Sequence, residues 1–330
     1  VILLHCNLQP WTVTGCDDDV YVTLSPPFPP LAPTPGSPCP PGIGDSFAAL
    51  SDEMMLHVFR WLPRRALARA MLVCKRWHRV ANDETLWQRS DLGSKKLNPG
   101  ALGRVLARAP LVLRLAASEI GPWHPPPATS PCRLQYLDLS MALVDPDTVD
   151  ALLARCPALR KLSLESVPVR DSTCEFIGEC YLQSLNIAWC GLSAAALEVL
   201  TTQAPPALAR LAAGGSRHMQ DYMVTALVSR CPRLLELDLS DCAALGAAAV
   251  AALLALRRLE HLALSRCYML RPTIPSLQYL DVWGSLGAAS LAALKTALPG
   301  LTINQFRFSA IARPTVGTRR TSIWGHRTRE

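Results

Sequence analysis

Leu234–Cys242 reads LLELDLSDC, with leucine at its first, fourth and sixth positions and cysteine at its ninth. Six more segments follow the same scheme. They begin at Leu134 (LQYLDLSMA), Leu159 (LRKLSLESV), Leu182 (LQSLNIAWC), Leu208 (LARLAAGGS, a loose fit), Leu259 (LEHLALSRC) and Leu277 (LQYLDVWGS). Successive starts are 25, 23, 26, 26, 25 and 18 residues apart. This period and pattern are those of leucine-rich repeats, each copy a short strand followed by a helix. Helices are expected near residues 147–154 and 197–202. One copy cannot bury its three leucines, but stacked neighbours can. The fold class is therefore α/β, a curved solenoid with a parallel sheet on its concave face.

Upstream the period changes. Ser51 can cap a helix whose first turn holds Asp52 and Glu53, where negative charge favours the helix dipole. Met54, Met55, Val58, Phe59 and Leu62 then recur at helical spacing until Pro63. A second helical stretch carries Val73, Cys74 and Trp77, and a short third carries Leu86 and Trp87. Three small helices cannot bury this apolar surface alone. Trp77, Trp87 and the Met54–Phe59 stripe therefore need cover, from the rest of the chain or from another protein.

Nine prolines in the sixteen residues Pro26–Pro41 rule out helix and sheet there. The chain thus divides into a Pro-rich tail (1–44), a three-helix module (45–92), a linker with irregular repeats (93–133), the regular repeats (134–300) and a C-terminal tail (301–330). No apolar run is long enough to span a membrane. The net charge of +7 is concentrated at the C-terminus, where Arg313, Arg319, Arg320, Arg327 and Arg329 face only Glu330. That tail lacks interleaved aromatics beyond Trp324, so protein is favoured over nucleic acid as a partner.

Phosphate-binding glycine loops, H-E-x-x-H and G-x-S-x-G are all missing, and no catalytic residue, cofactor or metal site is assigned. The twelve cysteines form no C-x-x-C pair and are expected to stay reduced. Cys190, Cys242 and Cys267 share repeat position 9, and Cys156 and Cys231 share an Arg-Cys-Pro triplet, so these five read as small buried hydrophobes. What remains is surface. Position 8, just after the strand, holds Trp189, Asp241 and Arg266, with Arg217 and Tyr268 slightly further along. Trp, Tyr and Arg beside Asp is the composition of a protein-binding hot spot, although Asp241 and Arg266 could simply pair with each other.

The run Leu50–Trp87, with its acidic helix start, V-C-K-R-W and terminal L-W, resembles an F-box. With the later L-S-R-C-Y and the tail's I-A-R-P-T-V-G and I-W-G, it is similar to the F-box/leucine-rich-repeat substrate receptors of Skp–cullin–F-box (SCF) ubiquitin ligases. The resemblance runs from about Asp45 to Gly325. It implies a non-enzymatic receptor, in nucleus and cytoplasm, that binds the Skp adaptor protein and through it the cullin–RING core. It implies recruitment of phosphorylated cell-cycle regulators, such as cyclin-dependent kinase inhibitor 1B, with a Cks accessory subunit, in support of G1/S progression. By the match, Leu50, Met54, Phe59, Leu62, Val73, Cys74, Trp77, Leu86 and Trp87 form the F-box core and adaptor interface. Trp189, Asp241 and Arg266 match Cks-contacting positions, Arg217 and Tyr268 match positions near the substrate peptide, and the tail folds back on the concave face. One family repeat is missing between Glu179 and Tyr181, and the N-terminal tail has no counterpart. A plain leucine-rich-repeat scaffold or inhibitor is the alternative reading.

Overall fold

In the computed structural model, which describes residues 47, 49–126, 131–267, 276–315 and 322–328, the helical module comes first. The Pro-rich segment 1–44 and Tyr268 lie outside these residues. Helices α1 (Asp52–Phe59), α2 (Arg64–Ala70) and α3 (Lys75–Ala81) are followed by a single 3-10 turn, Glu84–Leu86. The Ser51 hydroxyl accepts the Met54 N–H at 3.3 Å, the cap expected from sequence. Asp52 does more than favour the dipole. It receives Arg76 Nε at 2.8 Å and Arg79 Nη2 at 2.6 Å, which ties the start of α1 to α3.

The chain then enters the repeats at once. Strand β1 (Arg89–Asp91) precedes β2 (Lys96–Leu97), α4 (Ala101–Leu106), β3 (Val112–Arg114) and β4 (Glu119–Ile120). The regular repeats supply β5 (Tyr136–Asp138), α5 (Pro146–Leu153), β6 (Lys161–Ser163), α6 (Asp171–Glu179), β7 (Ser184–Asn186) and α7 (Ala194–Gln203). They continue with β8 (Arg210–Ala212), α8 (Asp221–Arg230), β9 (Glu236–Asp238), α9 (Ala247–Leu253), β10 (His261–Ala263), β11 (Tyr279–Asp281) and α10 (Ala288–Ala297). Last come β12 (Thr302–Ile303) and a small antiparallel pair, β13 (Ser322–Ile323) and β14 (His326–Arg327).

Among the described residues, ten strands form one parallel sheet in the order β1-β3-β5-β6-β7-β8-β9-β10-β11-β12. Two boundaries move. The array begins at β1, inside the segment 45–92 expected to hold the three-helix module, and it runs on into 302–303, while the irregular repeats expected in 93–133 supply β3. These outer copies escape the pattern because they depart from L-x-x-L-x-L: Val112–Leu115 reads VLRL, and β12 has only two residues. The missing family repeat leaves no gap, because β6 and β7 pair in register, Lys161 with Ser184. The short repeat also keeps its strand pairing, His261 with Tyr279.

The leucines at positions 1, 4 and 6 behave as their spacing requires. Leu134, Leu137 and Leu139 are buried, as are their equivalents through Leu277, Leu280 and Val282. All belong to one continuous hydrophobic core. Each such side chain contributes roughly 1.5–3 kcal/mol on burial. The loose fourth copy has Ala213 at position 6, and the same repeat buries Met219 and Met223, flexible side chains suited to irregular space. The position-9 thiols have a further role. Cys190 Sγ donates to Leu164 O at 3.0 Å, Cys242 Sγ to Ala213 O at 3.6 Å and Cys267 Sγ to Leu239 O at 3.1 Å. Each thus adds a bond to the position-6 carbonyl of the preceding repeat; Leu164 O and Leu239 O also accept the N–H of Val167 and Cys242.

Candidate functional site

Two surfaces stand out, and the sequence pattern treats them differently. In α1 the single apolar stripe read from sequence splits in two. Met55 and Phe59, four residues apart, are buried. Met54 and Val58, also four apart, face solvent at 55% and 43% exposure. Trp61 (88%), Leu72 (62%), Val73 (61%) and Cys74 are also exposed outside the module's core. Leu50, Leu62 and Trp77 are half-buried at its edge, with Trp77 packed edge-on against Phe47 and Phe59 at 4.9 and 5.3 Å.

Phe59, Leu86 and Trp87 belong to the core. Trp87 donates Nε1–H to Ala81 O at 2.9 Å, and the guanidinium groups of Arg64 and Arg108 lie 4.8 and 3.7 Å from its ring. Arg64 also donates to the Arg89 carbonyl, so α2 is joined to β1. Of the two sources of cover expected for Trp87, the rest of the chain supplies it: Arg108 of the first repeats and Arg64 of α2 lie over the ring, so Trp87 is core and not adaptor interface. Trp61 and Leu72 are interface candidates that the sequence reading missed. Their signal was hydrophobicity off the buried stripe, a tryptophan just before Pro63 and a leucine just before Val73.

The second surface is the concave side of the array. Each strand points its first and third residues there, so the floor has two columns. The third-residue column includes Asp91, Arg114, Asp138, Ala212, Ala263 and Asp281. The C-terminal tail lies on this floor. Phe306 sits by His261 and Tyr279, with ring centroids 5.5 and 6.3 Å away. Ile311 and Ala312 form a buried cluster with Ala212 and Ala263. Arg313 pairs with Glu165 at 2.7 Å, His326 packs against Tyr136 at 4.3 Å, and Thr328 donates to Asp91 Oδ2 at 3.0 Å. The tail therefore returns from the last strand to the first, although residues 316–321 lie outside the described set.

With the floor covered, the rim is what a partner meets. Position 8 is a turn in the left-handed region, φ near +60° in repeat after repeat: Ser166, Trp189, Gly215, Asp241, Arg266 and Gly284. Glycine is needed at two of these places. A Cβ on Gly215 would lie 2.6 Å from the Trp189 ring, and one on Gly284 would lie 3.2 Å from Arg266 Cγ. Small residues thus give the large side chain of the preceding repeat room to lie flat along the rim. Trp189 is 49% exposed there. Asp241 and Arg266 form an ion pair, and Arg217 is exposed between them and Trp189. Along this ledge the structure pairs Asp241 with Arg266 and places Trp189 and Arg217 in the two repeats before them.

Burial sets the local electrostatics. Asp138 accepts from Ser140 N–H and Oγ at 3.0 and 2.7 Å and lies 3.8 Å from Arg114 Nε. Burial nonetheless pushes its carboxyl up to about 6. Asp52, half-buried between Arg76 and Arg79, is held below the usual range by hydrogen bonds from both.

Residues 49–93 match the F-box-like family, and residues 178–330 match the SKP2 LRR domain. The chain is an F-box/leucine-rich-repeat protein. It is 28% identical over 155 residues to F-box/LRR-repeat protein 12 of Bos taurus, covering 46% of this chain and 42% of that one. With the Homo sapiens protein of the same name it shares 31% over 147 residues, 42% of this chain and 41% of that one. It is 30% identical over 135 residues to Lysine-specific demethylase 2A of Xenopus tropicalis, covering 38% of this chain and 11% of that one. This F-box/leucine-rich-repeat chain thus spans less than half the length of these curated relatives. Of the solved structures, the Rad7 and Elc1 complex in yeast gives a TM-score of 0.42 at 16% identity, over 62% of this chain and 57% of that one.

Proposed function

We propose that the chain is the substrate-recognition subunit of an SCF E3 ubiquitin ligase. The observation that carries this is the outward apolar face of the F-box. Met54, Val58, Trp61, Leu72 and Val73 leave large apolar side chains exposed where the module's own core is already complete. Exposed apolar patches of this kind mark protein-interaction sites, and in an F-box the partner is the Skp adaptor, which brings the cullin–RING core. Leu50, Leu62 and Trp77 rim the interface, while Phe59, Leu86 and Trp87 hold its shape.

Within that reading the chain resembles S-phase kinase-associated protein 2 in its V-C-K-R-W run and its tail. Its substrates are then phosphorylated cell-cycle regulators such as cyclin-dependent kinase inhibitor 1B, read jointly with a Cks subunit, in nucleus and cytoplasm and toward the G1/S transition. The rim supports this assignment. Trp189, Asp241 and Arg266 offer an aromatic anchor and an oriented ion pair for the Cks subunit, and Arg217, with Tyr268, takes the flanking peptide. The chain makes and breaks no bond itself. It holds a substrate lysine near a loaded conjugating enzyme, which makes a bimolecular encounter local.

The test uses the full chain co-expressed with the Skp adaptor. A threonine-phosphorylated inhibitor peptide is titrated by fluorescence anisotropy, with and without the Cks subunit. Binding that needs both phosphate and Cks is the expected result. A folded, adaptor-bound complex that fails to bind under every condition overturns the substrate assignment, and a folded chain that fails to capture the adaptor leaves a repeat scaffold.

A further inference from the structure

The end of α1, the start of the sheet and the returning tail meet around a cleft of about 820 Å³. Arg60 and Trp61 line it from the end of α1, Arg89 from β1 and Arg327 from β14. These segments are tied to one another. Arg64 donates to the Arg89 carbonyl, joining α2 to β1. Thr328 donates to Asp91 Oδ2 at 3.0 Å, joining the tail to the same strand. The pairing of Ser322 with Arg327 fixes the register of the tail's own cation. A volume within the ~300–1,000 Å³ range of ligand sites, framed by segments that hold one another, is a preformed site. The rim residues Trp189, Arg217, Asp241 and Arg266 do not line it.

The charge of the cleft is one-sided. Arg60, Arg89 and Arg327 are exposed, and among the described residues none of them pairs with a carboxylate. By contrast, Arg170 and Arg210 on the repeats meet Asp147 and Glu236. Asp91 is the one acid in the described lining, and it is buried and engaged. It receives Arg114 Nη1 and the Gly93 N–H, each at 3.0 Å, as well as Thr328. The field is felt at the neighbouring His326, which burial and then Arg89 and Lys161 hold below its ordinary range. Three unmatched cations along one preformed cleft select for an anionic ligand. A lone ion would fill little of the volume, and the cations come from three separate segments. Carboxylates spaced along a chain match that layout. Guanidinium forks take carboxylates through two hydrogen bonds at a time. In an extended segment alternate side chains point the same way, so acids at every second residue face one wall. Trp61, exposed and next to Arg60, offers a ring for an apolar residue between them.

We propose that this cleft binds an acidic, carboxylate-rich peptide segment of a partner protein. Arg60, Arg89 and Arg327 take its carboxylates, and Trp61 seats an apolar residue among them. Trp61 is shared with the exposed side of the F-box, whereas Arg89 and Arg327 belong to the sheet and the tail. Because the tail supplies Arg327, the site is complete only while the tail lies on the concave floor. This inference does not rest on the ligase reading.

The experiment is fluorescence anisotropy on the full chain. The probe is a fluorescein-labelled peptide with glutamate at alternate positions and a leucine between two of them, compared with its glutamine counterpart. The glutamate peptide should bind and the glutamine peptide should not. Arg89→Gln and Arg327→Gln should each weaken binding by about tenfold, and the double variant by about 100-fold. Both side chains are exposed, so the variants should melt with the parent. A control carrying Arg257→Gln and Arg258→Gln removes two exposed charges from a later repeat, and its affinity should stay within about twofold, since distant surface charges are screened. The proposal is overturned if the glutamine peptide binds equally well, or if the control weakens binding as much as the cleft variants do. It is also overturned if a peptide with one phosphoserine and no glutamate, or a single-stranded oligonucleotide, displaces the probe at lower concentration than the unlabelled glutamate peptide does.

Discussion

In the F-box, residues one position apart on α1 have opposite fates: Met55 and Phe59 are in the core, Met54 and Val58 are in solvent. In the repeats the apolar residues at positions 1, 4 and 6 point inward, and the concave floor they leave is covered by the chain's own tail. One region keeps apolar surface free for another protein. The other has its inner face occupied by itself, and offers only a rim of turn residues. Burial therefore does not separate working from structural residues in this molecule. The exposed face of the F-box and the ledge over the covered floor are where a partner can reach.

The sharpest way to break this contrast is to exchange the two kinds of F-box residue. Trp87→Ala removes a buried ring held by two arginines and should lower the stability of the F-box and first repeats by about 3–5 kcal/mol in urea unfolding. The double variant Met54→Asp, Val73→Asp changes only exposed positions. It should leave the unfolding midpoint within about 0.5 kcal/mol of the parent while weakening adaptor affinity at least ~30-fold by calorimetry. If both variants unfold alike, or if the double variant still binds the adaptor at parental strength, the division into core and interface is wrong.

That division was only partly legible. The seven regular copies, their buried leucines and the position-9 cysteines follow from spacing alone, because a period of about 25 residues repeated seven times has few physical readings. The outer copies at β1, β3 and β12 were not legible, since they keep the strand without the full leucine pattern and take their place from the neighbour they pair with. The split of the α1 stripe was invisible because an isolated helix shows which residues are apolar, not how many of its faces are covered. Trp87 looked like interface for the same reason: its cover, Arg108, comes from beyond the helical module. Position 8 was legible as a site in the repeat: Trp189, Asp241 and Arg266 all occupy the left-handed turn after the strand. The floor at Tyr136, His261 and Tyr279 was passed over, because nothing local says that Phe306 and His326 return to lie on it.

The covered floor invites a smaller intervention. Ile311 is buried against Ala212 and Ala263, and Ile311→Asp should cost tail docking about 3 kcal/mol or more, from lost apolar burial and a charge without a partner. Hydrogen exchange is the readout. Amides such as Phe306 N–H, which donates to Asp281, and Trp324 N–H, which donates to Pro314 O, should exchange on the order of 100-fold faster in the variant. The amides of β7 to β9 should keep their protection. Loss of protection throughout the sheet would mean that the tail is part of the array's stability and not a cover laid over it.

The smallest effect tests the electrostatics beneath that cover. Asp138 faces Arg114 and, through it, Asp91, which Arg114 holds at 3.0 Å and Thr328 closes from the tail. Its carboxyl is raised by burial to about 6, above its unfolded value of ~3.9. Between these values the folded state binds the proton that the unfolded state has released, so this group makes stability fall as pH rises from about 4 to about 6. Nearby, burial and the cations Arg89 and Lys161 hold His326 below its usual range. That group acts in the opposite sense, losing stability as pH falls through its ordinary value near 6.5. The two partly cancel in the native chain, so a single melting curve against pH would show little. In Asp138→Asn the His326 contribution is left alone, and the melting temperature should fall more steeply on acidification from pH 7 to pH 5 than it does in the parent. The parent-minus-variant difference should grow toward low pH by a few degrees. A flat difference would show that Arg114 and the Ser140 bonds already compensate the buried charge, and would make the acidic column under the tail a structural feature with no pH response.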